Sequence, residues 1–285
     1  MPAEMRLEAQ SEAIRGVVPN EYAEFVVFVT ELGGTTALMV LLAVLFWCVD
    51  RRRSALVISY AVAGLALLLS LKALFALPRP PADVMPIPLE SEREGYGFPS
   101  GHAFAAAVVY GGLVSAYDRA GDPRALAVAA ALVALVSLSR VVLGVHYLGD
   151  VIVGAALGVA FVAAMDRVTR GDPTIGFAIA LAFSAPAFVI AGGREDALLG
   201  LGGALGGLLG SRRLSALPAL RSRLEAAVVL VVGVGFVALV RGLESIVTTV
   251  EPLLVVLYAI LVAGIFLVPA AVGQLEIGPL ESTRS

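Results

Sequence analysis

The chain is short of charge. Only 15% of its 285 residues are charged while 59% are hydrophobic, and its mean hydropathy is +0.93. That leaves too little polar surface to cover a soluble globule of this length, so a polytopic membrane protein is expected. Three chemically useful residue types are scarce too, with one cysteine, one lysine and two histidines in the whole chain. A single cysteine, Cys48, excludes an internal disulfide, and its place inside an apolar run reads as packing. The net charge of −3, the pI near 5.5 and the lack of any aromatic-rich basic stretch exclude nucleic acid as a partner. The stretch before Tyr22 also lacks the apolar core of a cleavable signal peptide, because Glu4, Arg6, Glu8, Glu12 and Arg15 interrupt it. The first long apolar segment is therefore expected to direct insertion.

What the chain has in quantity is apolar runs of membrane-spanning length, about 20 residues each. They predict an all-α polytopic transmembrane helix bundle of about nine spans. The first covers residues 30–49, with Glu31 interrupting an apolar run that begins at Tyr22, and the second covers 54–77. Pro78, Pro80 and Pro81 end the second, since proline lacks the amide donor and fixes φ. Residues 100–117, 125–138 and 150–165 make the third to fifth spans, and 175–191, 198–210, 224–240 and 253–272 the last four. Gly202, Gly206 and Gly210 form a small-residue row suited to close helix contact. The division expected is an interfacial or disordered segment at 1–21, with 5–14 at loose helical spacing; a core of five spans at 22–170; and an extension of four at 171–285. The polar stretch 81–98, with Asp83, Glu90, Glu92, Arg93 and Glu94, reads as a flap.

Against this background the few ionisable residues stand out. Ser139 to Asp150 sets a cation, Arg140, an imidazole, His146, and a carboxylate, Asp150, among apolar neighbours. With a helix running from Val145, His146 and Asp150 would share a face at i and i+4, and the carboxylate would hold one ring nitrogen and leave the other as a lone pair. Arg140 offers a forked cation for an oxyanion. The second histidine lies in Phe98-Pro99-Ser100-Gly101-His102, where a helix starting at Ser100 puts the Gly101 and His102 amides in the first turn, a place that binds anions. Lys72 falls in the last turns of the second span. At mid-bilayer a lone ammonium costs up to about 2.5–3.5 kcal/mol, so it either snorkels to the interface or faces a polar cavity. Arg79 follows in Leu77-Pro78-Arg79-Pro80.

Taken in order, Lys72, six residues, Arg79-Pro80, then Pro99-Ser100-Gly101-His102, then Ser139-Arg140, five residues, His146, three residues, Asp150 resembles the three-part motif of the type 2 phosphatidic acid phosphatase superfamily. The resemblance implies a phosphatase needing no cofactor and no metal. In it His146 attacks phosphorus to give a phosphohistidine, Asp150 orients and stabilises His146, and His102 protonates the leaving group. Lys72, Arg79, Ser100, Gly101 and Arg140 bind the phosphate. A zinc site of His102, His146 and Asp150 is the sharper rival, disfavoured by three cations beside it. The expected substrate is a lipid phosphate or polyprenyl diphosphate presented by membrane lipids. A nine-span count is also similar to the glucose-6-phosphatase branch, whose substrate is soluble. A phosphate-binding transporter or scramblase is the alternative from another class, and the oriented imidazole argues against it.

Arginine placement predicts the sidedness. Alternating nine spans puts Arg51, Arg52, Arg53, Arg119, Arg124, Arg167, Arg170, Arg212, Arg213, Arg221, Arg223 and Arg284 on one side, and Arg6, Arg15, Arg79, Arg93, Arg140, Arg194 and Arg241 on the other. Short cytoplasmic loops collect Lys and Arg, so the first set is expected inside, with the amino terminus and all three motifs extracytoplasmic and the carboxyl terminus cytoplasmic in the cell membrane.

Overall fold

The computed structural model describes residues 6–87, 95–191, 195–220, 222–247 and 250–274. The part of the expected flap at Glu90, Glu92, Arg93 and Glu94 lies outside the described residues, as do Arg194, Arg221 and Arg284. Those described form eleven α-helices: α1 (Glu8–Val17), α2 (Ala23–Glu31), α3 (Thr35–Cys48), α4 (Arg51–Phe75), α5 (Gly101–Ala116), α6 (Pro123–Val142), α7 (Leu148–Thr169), α8 (Pro173–Ala191), α9 (Glu195–Ser211), α10 (Arg223–Val247) and α11 (Glu251–Gly273). The protein is all-α and membrane-embedded in character: α4, α6, α7, α8, α10 and α11 are each long and apolar enough to cross a bilayer. Residues Asn20–Glu31 and Thr35–Cys48 pass the same test only together, across a 42° bend. Glu31 therefore marks a break within the first apolar run; the run does not begin there. The expected third and seventh spans are α5 and α9, of 16 and 17 residues, shorter than the usual spanning length.

Local chemistry explains several boundaries. Asp122 caps α6 by accepting from the Arg124 amide at 2.9 Å, and Pro123 takes the first helical position, where no amide is needed. Asp50 accepts from the Arg53 amide at 2.9 Å, so α4 begins at Arg51, earlier than the apolar run alone suggests. Phe75 ends α4 ahead of the proline cluster. Cys48, expected to pack, is exposed at the end of α3.

The chain divides into two compact units: residues up to Val40 with Gly64–Gly171, and Leu41–Ala63 with Asp172 onward. In the first, α5, α6 and α7 form the frame. Gly154 and Gly158 on α7 let that helix lie directly on α5: a Cβ at Gly154 would come 2.6 Å from the Ser100 carbonyl oxygen, and one at Gly158 would come 2.8 Å from that of Phe104. This approach joins the two sequence motifs, because the Ser100 amide donates to the Asp150 carbonyl at 3.0 Å. Helix α1 packs onto the frame through Ile14, against Ala103, Val141 and Val151.

The second unit is built around α9 and α11. The glycine row does what its spacing predicts, since a Cβ at Gly202 or Gly206 would overlap the carbonyl oxygens of Val255 and Ala259. Trp47, 2% exposed, donates its indole N–H to the Ile265 carbonyl at 2.9 Å, so a large apolar group enters this core with its one polar atom satisfied.

Candidate active site

The site is centred on a tight turn after α6. The Arg140 carbonyl accepts from both the Val145 and His146 amides, at 3.2 and 3.3 Å, while Gly144 turns the chain with φ +70°. A side chain there would be strained, and its Cβ would lie 2.7 Å from the Val84 carbonyl oxygen. The turn corrects the expectation of a helix from Val145: α7 starts at Leu148, and His146 stands in the loop before it. Asp150, in the first turn of α7, accepts from the Tyr147 amide at 3.0 Å. Ser11 of α1 accepts from the Leu148 amide at 2.8 Å, so the start of α7 is capped from a distant part of the chain.

His146 and Asp150 meet despite this, with Nδ1 3.5 Å from Oδ2 and side chains 1% and 0% exposed. On the other edge of the ring, Nε2 lies 3.2 Å from Arg79 Nη1. A guanidinium only donates, so Nε2 is the acceptor and the ring proton belongs on Nδ1, facing the carboxylate. Burial, with Arg140, Arg79, Lys72 and His102 around it, holds the His146 pKa well below the usual histidine value, and the ring is neutral at physiological pH.

The remaining motif residues converge on this ring. Arg140 is fully buried, with Nη1 donating to Thr30 Oγ1 at 3.1 Å. Lys72, in the last turn of α4, donates to the Tyr96 carbonyl at 3.2 Å, and its Nζ lies 3.7 Å from where a Cβ on Gly101 would stand. Arg79 also reaches the Val145 carbonyl at 3.4 Å. Ser100, with extended backbone, is the residue just ahead of α5, fully buried, and its hydroxyl has no hydrogen-bond partner among the described residues. His102 is the second residue of α5, half-buried. Beside Arg79 opens a cleft of about 530 Å³, walled by Ala76, Pro80, Pro81, Met85 and Tyr96. All eight expected site residues therefore lie in the first unit, and Arg140, Arg79, Lys72 and His102 act electrostatically on His146.

Sequence reasoning missed one member. Arg6, placed with an interfacial or disordered segment, is 5% exposed and donates to both carboxylate oxygens of Asp150, Nε to Oδ1 at 2.9 Å and Nη2 to Oδ2 at 2.8 Å. A lone arginine ahead of the first apolar run carries no signal of this. Thr30 and Ser11 were equally silent, since a hydroxyl acquires its meaning only from the group it faces.

Residues 54–172 match the family model described as the PAP2 superfamily. No curated protein and no solved structure matches the chain. The matched segment, less than half of the chain, holds every motif residue from Lys72 to Asp150, and over that segment the chain is similar to the PAP2 superfamily, whose members are phosphatases acting on phosphate esters.

Proposed function

We propose that this membrane phosphatase hydrolyses a lipid phosphate or a polyprenyl diphosphate through a phosphohistidine on His146, without a metal. The observation that carries the reading is the setting of His146: a buried ring with Nδ1 3.5 Å from an Asp150 oxygen and Nε2 3.2 Å from the cation Arg79, which supports a neutral imidazole with its lone pair on Nε2. A phosphoryl oxygen entering the site replaces Nε2 as the acceptor of Arg79 and frees the lone pair. Lys72, Arg140, the Ser100 hydroxyl and the Gly101 amide hold the other oxygens, fixed charge supplying what a metal ion supplies in other phosphoryl-transfer sites.

Nε2 then attacks phosphorus in line as the bond to the leaving oxygen breaks, and His102 gives that oxygen its proton. Asp150 stabilises the positive charge that the ring acquires. Water next attacks the phosphohistidine and passes a proton to His102, the P–N bond breaks, and inorganic phosphate leaves with His146 neutral again. The apolar walls of the neighbouring cleft suit an alkyl or prenyl portion next to the phosphate better than a sugar, which favours a lipid over a soluble ester.

The reading extends to sidedness and span number. We take nine spans, with α5 and α9 as short members, the amino terminus and site extracytoplasmic, and the carboxyl terminus cytoplasmic. Arg6, Arg79 and Arg140 are buried in or point into the site, which removes three arginines from the outer set and sharpens the contrast with the inner one. In a Cys48→Ala background, Asp83→Cys is expected to react with a membrane-impermeant maleimide in intact cells and Gly121→Cys is not. The reverse pattern would turn the site toward the cytoplasm.

The function itself is tested by phosphate release from the purified protein with polyprenyl diphosphate, phosphatidic acid, phosphatidylglycerol phosphate, a sphingoid phosphate and glucose 6-phosphate. Release is expected from a lipid substrate, to survive EDTA and to be blocked by vanadate. Activity lost in EDTA and restored by Zn²⁺ or Mg²⁺ would overturn the metal-free mechanism. Turnover confined to glucose 6-phosphate would overturn the lipid assignment.

A further inference from the structure

We infer that Arg6 is a positioning residue for the phosphoryl-transfer site: from the amino-terminal segment it keeps Asp150 ionised and aimed at His146. The inference rests on the reading of Asp150 as the partner of His146 and adds to it a residue outside the family motif. A carboxylate with no exposed surface pays several kcal/mol for losing its water, and stays ionised only where charge-assisted hydrogen bonds replace it. Here the replacement is the two-pronged Arg6 contact, 2.9 and 2.8 Å, together with the Tyr147 amide at 3.0 Å.

The guanidinium is itself held on two further sides. Nη1 donates to the Pro78 carbonyl at 2.9 Å, one residue before Arg79, and the guanidinium carbon lies 4.4 Å from the centre of the Tyr147 ring. Gly97 closes the remaining space, since a Cβ there would be 3.2 Å from Arg6 Nη2. One side chain thus ties the carboxylate behind the nucleophile to the backbone that carries a phosphate-binding arginine and to the residue adjoining His146. The attachment is not a by-product of α1 docking, which is secured separately by Ser11 on the Leu148 amide and by Ile14.

The long Nδ1 to Oδ2 separation of 3.5 Å is consistent with this role. While His146 is neutral, Oδ2 is occupied by Arg6 and Tyr147. As phosphorus is attacked and the ring becomes cationic, the same oxygen is the nearest anion, already charged and in place. A protonated Asp150 could not serve in this way. The groups that bear on the titration of this pair are Arg6, Arg79 and Tyr147 at Asp150, Lys72, Arg79, His102 and Arg140 at His146, and Glu8 and Arg15 of α1 at Tyr147.

The test compares Arg6→Gln, Arg6→Lys and Ser11→Ala in the full-length protein, with His146→Ala as reference, on a substrate shown to be hydrolysed. Arg6→Gln is expected to lower kcat by about 10- to 100-fold with KM changed less, and to move the acid limb of the kcat profile to higher pH, because Asp150 then protonates more readily. Arg6→Lys, which keeps the charge and loses the fork, is expected to recover part of kcat and to return the limb toward its original place. Ser11→Ala, which loosens α1 without touching Asp150, is expected to lower the melting temperature and leave the limb where it was. Should Arg6→Gln fail to fold, millimolar ethylguanidinium added to Arg6→Ala during refolding provides the same comparison, with partial recovery of kcat expected. An Arg6→Gln protein with kcat within twofold of the original and an unmoved acid limb would overturn the proposal. So would a rise in kcat, which would make Arg6 a brake. If His146→Ala retains turnover the phosphohistidine reading fails first; if only the Arg6 variants behave normally, this proposal alone fails.

Discussion

Each of the two units pairs an arginine with a buried carboxylate beside a tyrosine, and only one of them looks like a place for chemistry. In the first, Arg6 holds Asp150 with the Tyr147 ring beneath the guanidinium. In the second, Arg241 pairs with Glu244 at 2.6 Å, and the Tyr258 hydroxyl donates to Glu244 and lies 3.3 Å from Glu195. The composition of the surroundings separates them. The groups acting on the imidazole next to Asp150 are cations, Arg140, Arg79 and Lys72, with His102, so charge of one sign gathers at the ring. At Glu244 the neighbour is a second carboxylate, and the cluster ties α9, α10 and α11 together with nothing left that calls for an anion. A buried ion pair by itself argues neither for stability nor for function. Several fixed cations gathered around one buried imidazole argue for an anionic substrate.

The contrast breaks first at His146. His146→Ala is expected to abolish turnover in a protein that still elutes as a folded species, and acid-quenched trapping of radiolabelled phosphate should vanish with it. Appreciable turnover would take the nucleophile role away from this residue. His102→Ala follows, with a loss of about 10²–10⁴ in rate and less for a p-nitrophenyl leaving group, which needs little protonation. An equal loss for good and poor leaving groups would mean that His102 is not the proton donor.

How far these roles were legible in the sequence differs by residue. Lys72, Arg79, His102, Arg140, His146 and Asp150 could be singled out because an ionisable group in an apolar run is costly and therefore informative. The long spanning helices were legible for the same reason in reverse, since each is built on an apolar run with few such groups. The exact path was not: the carbonyl of Val84, far away in sequence, packs against Gly144 and leaves no room for a side chain there, and the turn moves His146 off the helix that periodicity suggested. The short α5 and the bend after Glu31 depend on packing and breaks that hydropathy does not see. Arg6 lies among other charges, where an arginine is ordinary, and only the fold brings it across 144 positions to Asp150. Gly154 and Gly158 could have been noticed as a small-residue pair four apart on the helix that begins at the third motif, which is the one available signal that went unused.

Lys72→Met sharpens the comparison by removing one of the cations that act on His146 without touching the His146–Asp150 contact. Turnover is expected to fall by about 10², the usual worth of one group that stabilises developing negative charge. The sign of its pH effect follows from the shift at His146. Burial and the surrounding cations lower its pKa, and in the proposed mechanism neutral imidazole is the reactive form, so activity is expected to persist below the usual histidine range and to be lost as pH falls through the lowered value. Taking away Lys72 weakens one cause of the lowering, so the acid limb of kcat/KM moves to higher pH. A limb that stays or moves down would mean that another group sets it.

The smallest effect is expected in the second unit. Glu244→Gln and Tyr258→Phe remove a buried charge or a buried hydroxyl from the cluster that joins α9, α10 and α11, with Tyr258 1% and Glu244 8% exposed. Losing one buried hydrogen bond costs about 1–3 kcal/mol, so both variants are expected to melt at lower temperature. Turnover per folded molecule is expected to stay within about threefold, because both residues belong to the second unit and the residues proposed to bind phosphate to the first. Thermal denaturation and phosphate release measured on the same preparations separate the two effects. If Glu244→Gln lowered turnover as far as Lys72→Met does while melting normally, the distinction between a charge cluster that waits for a ligand and one that only fastens helices would fail, and the carboxylates of the second unit would have to be counted with the reaction.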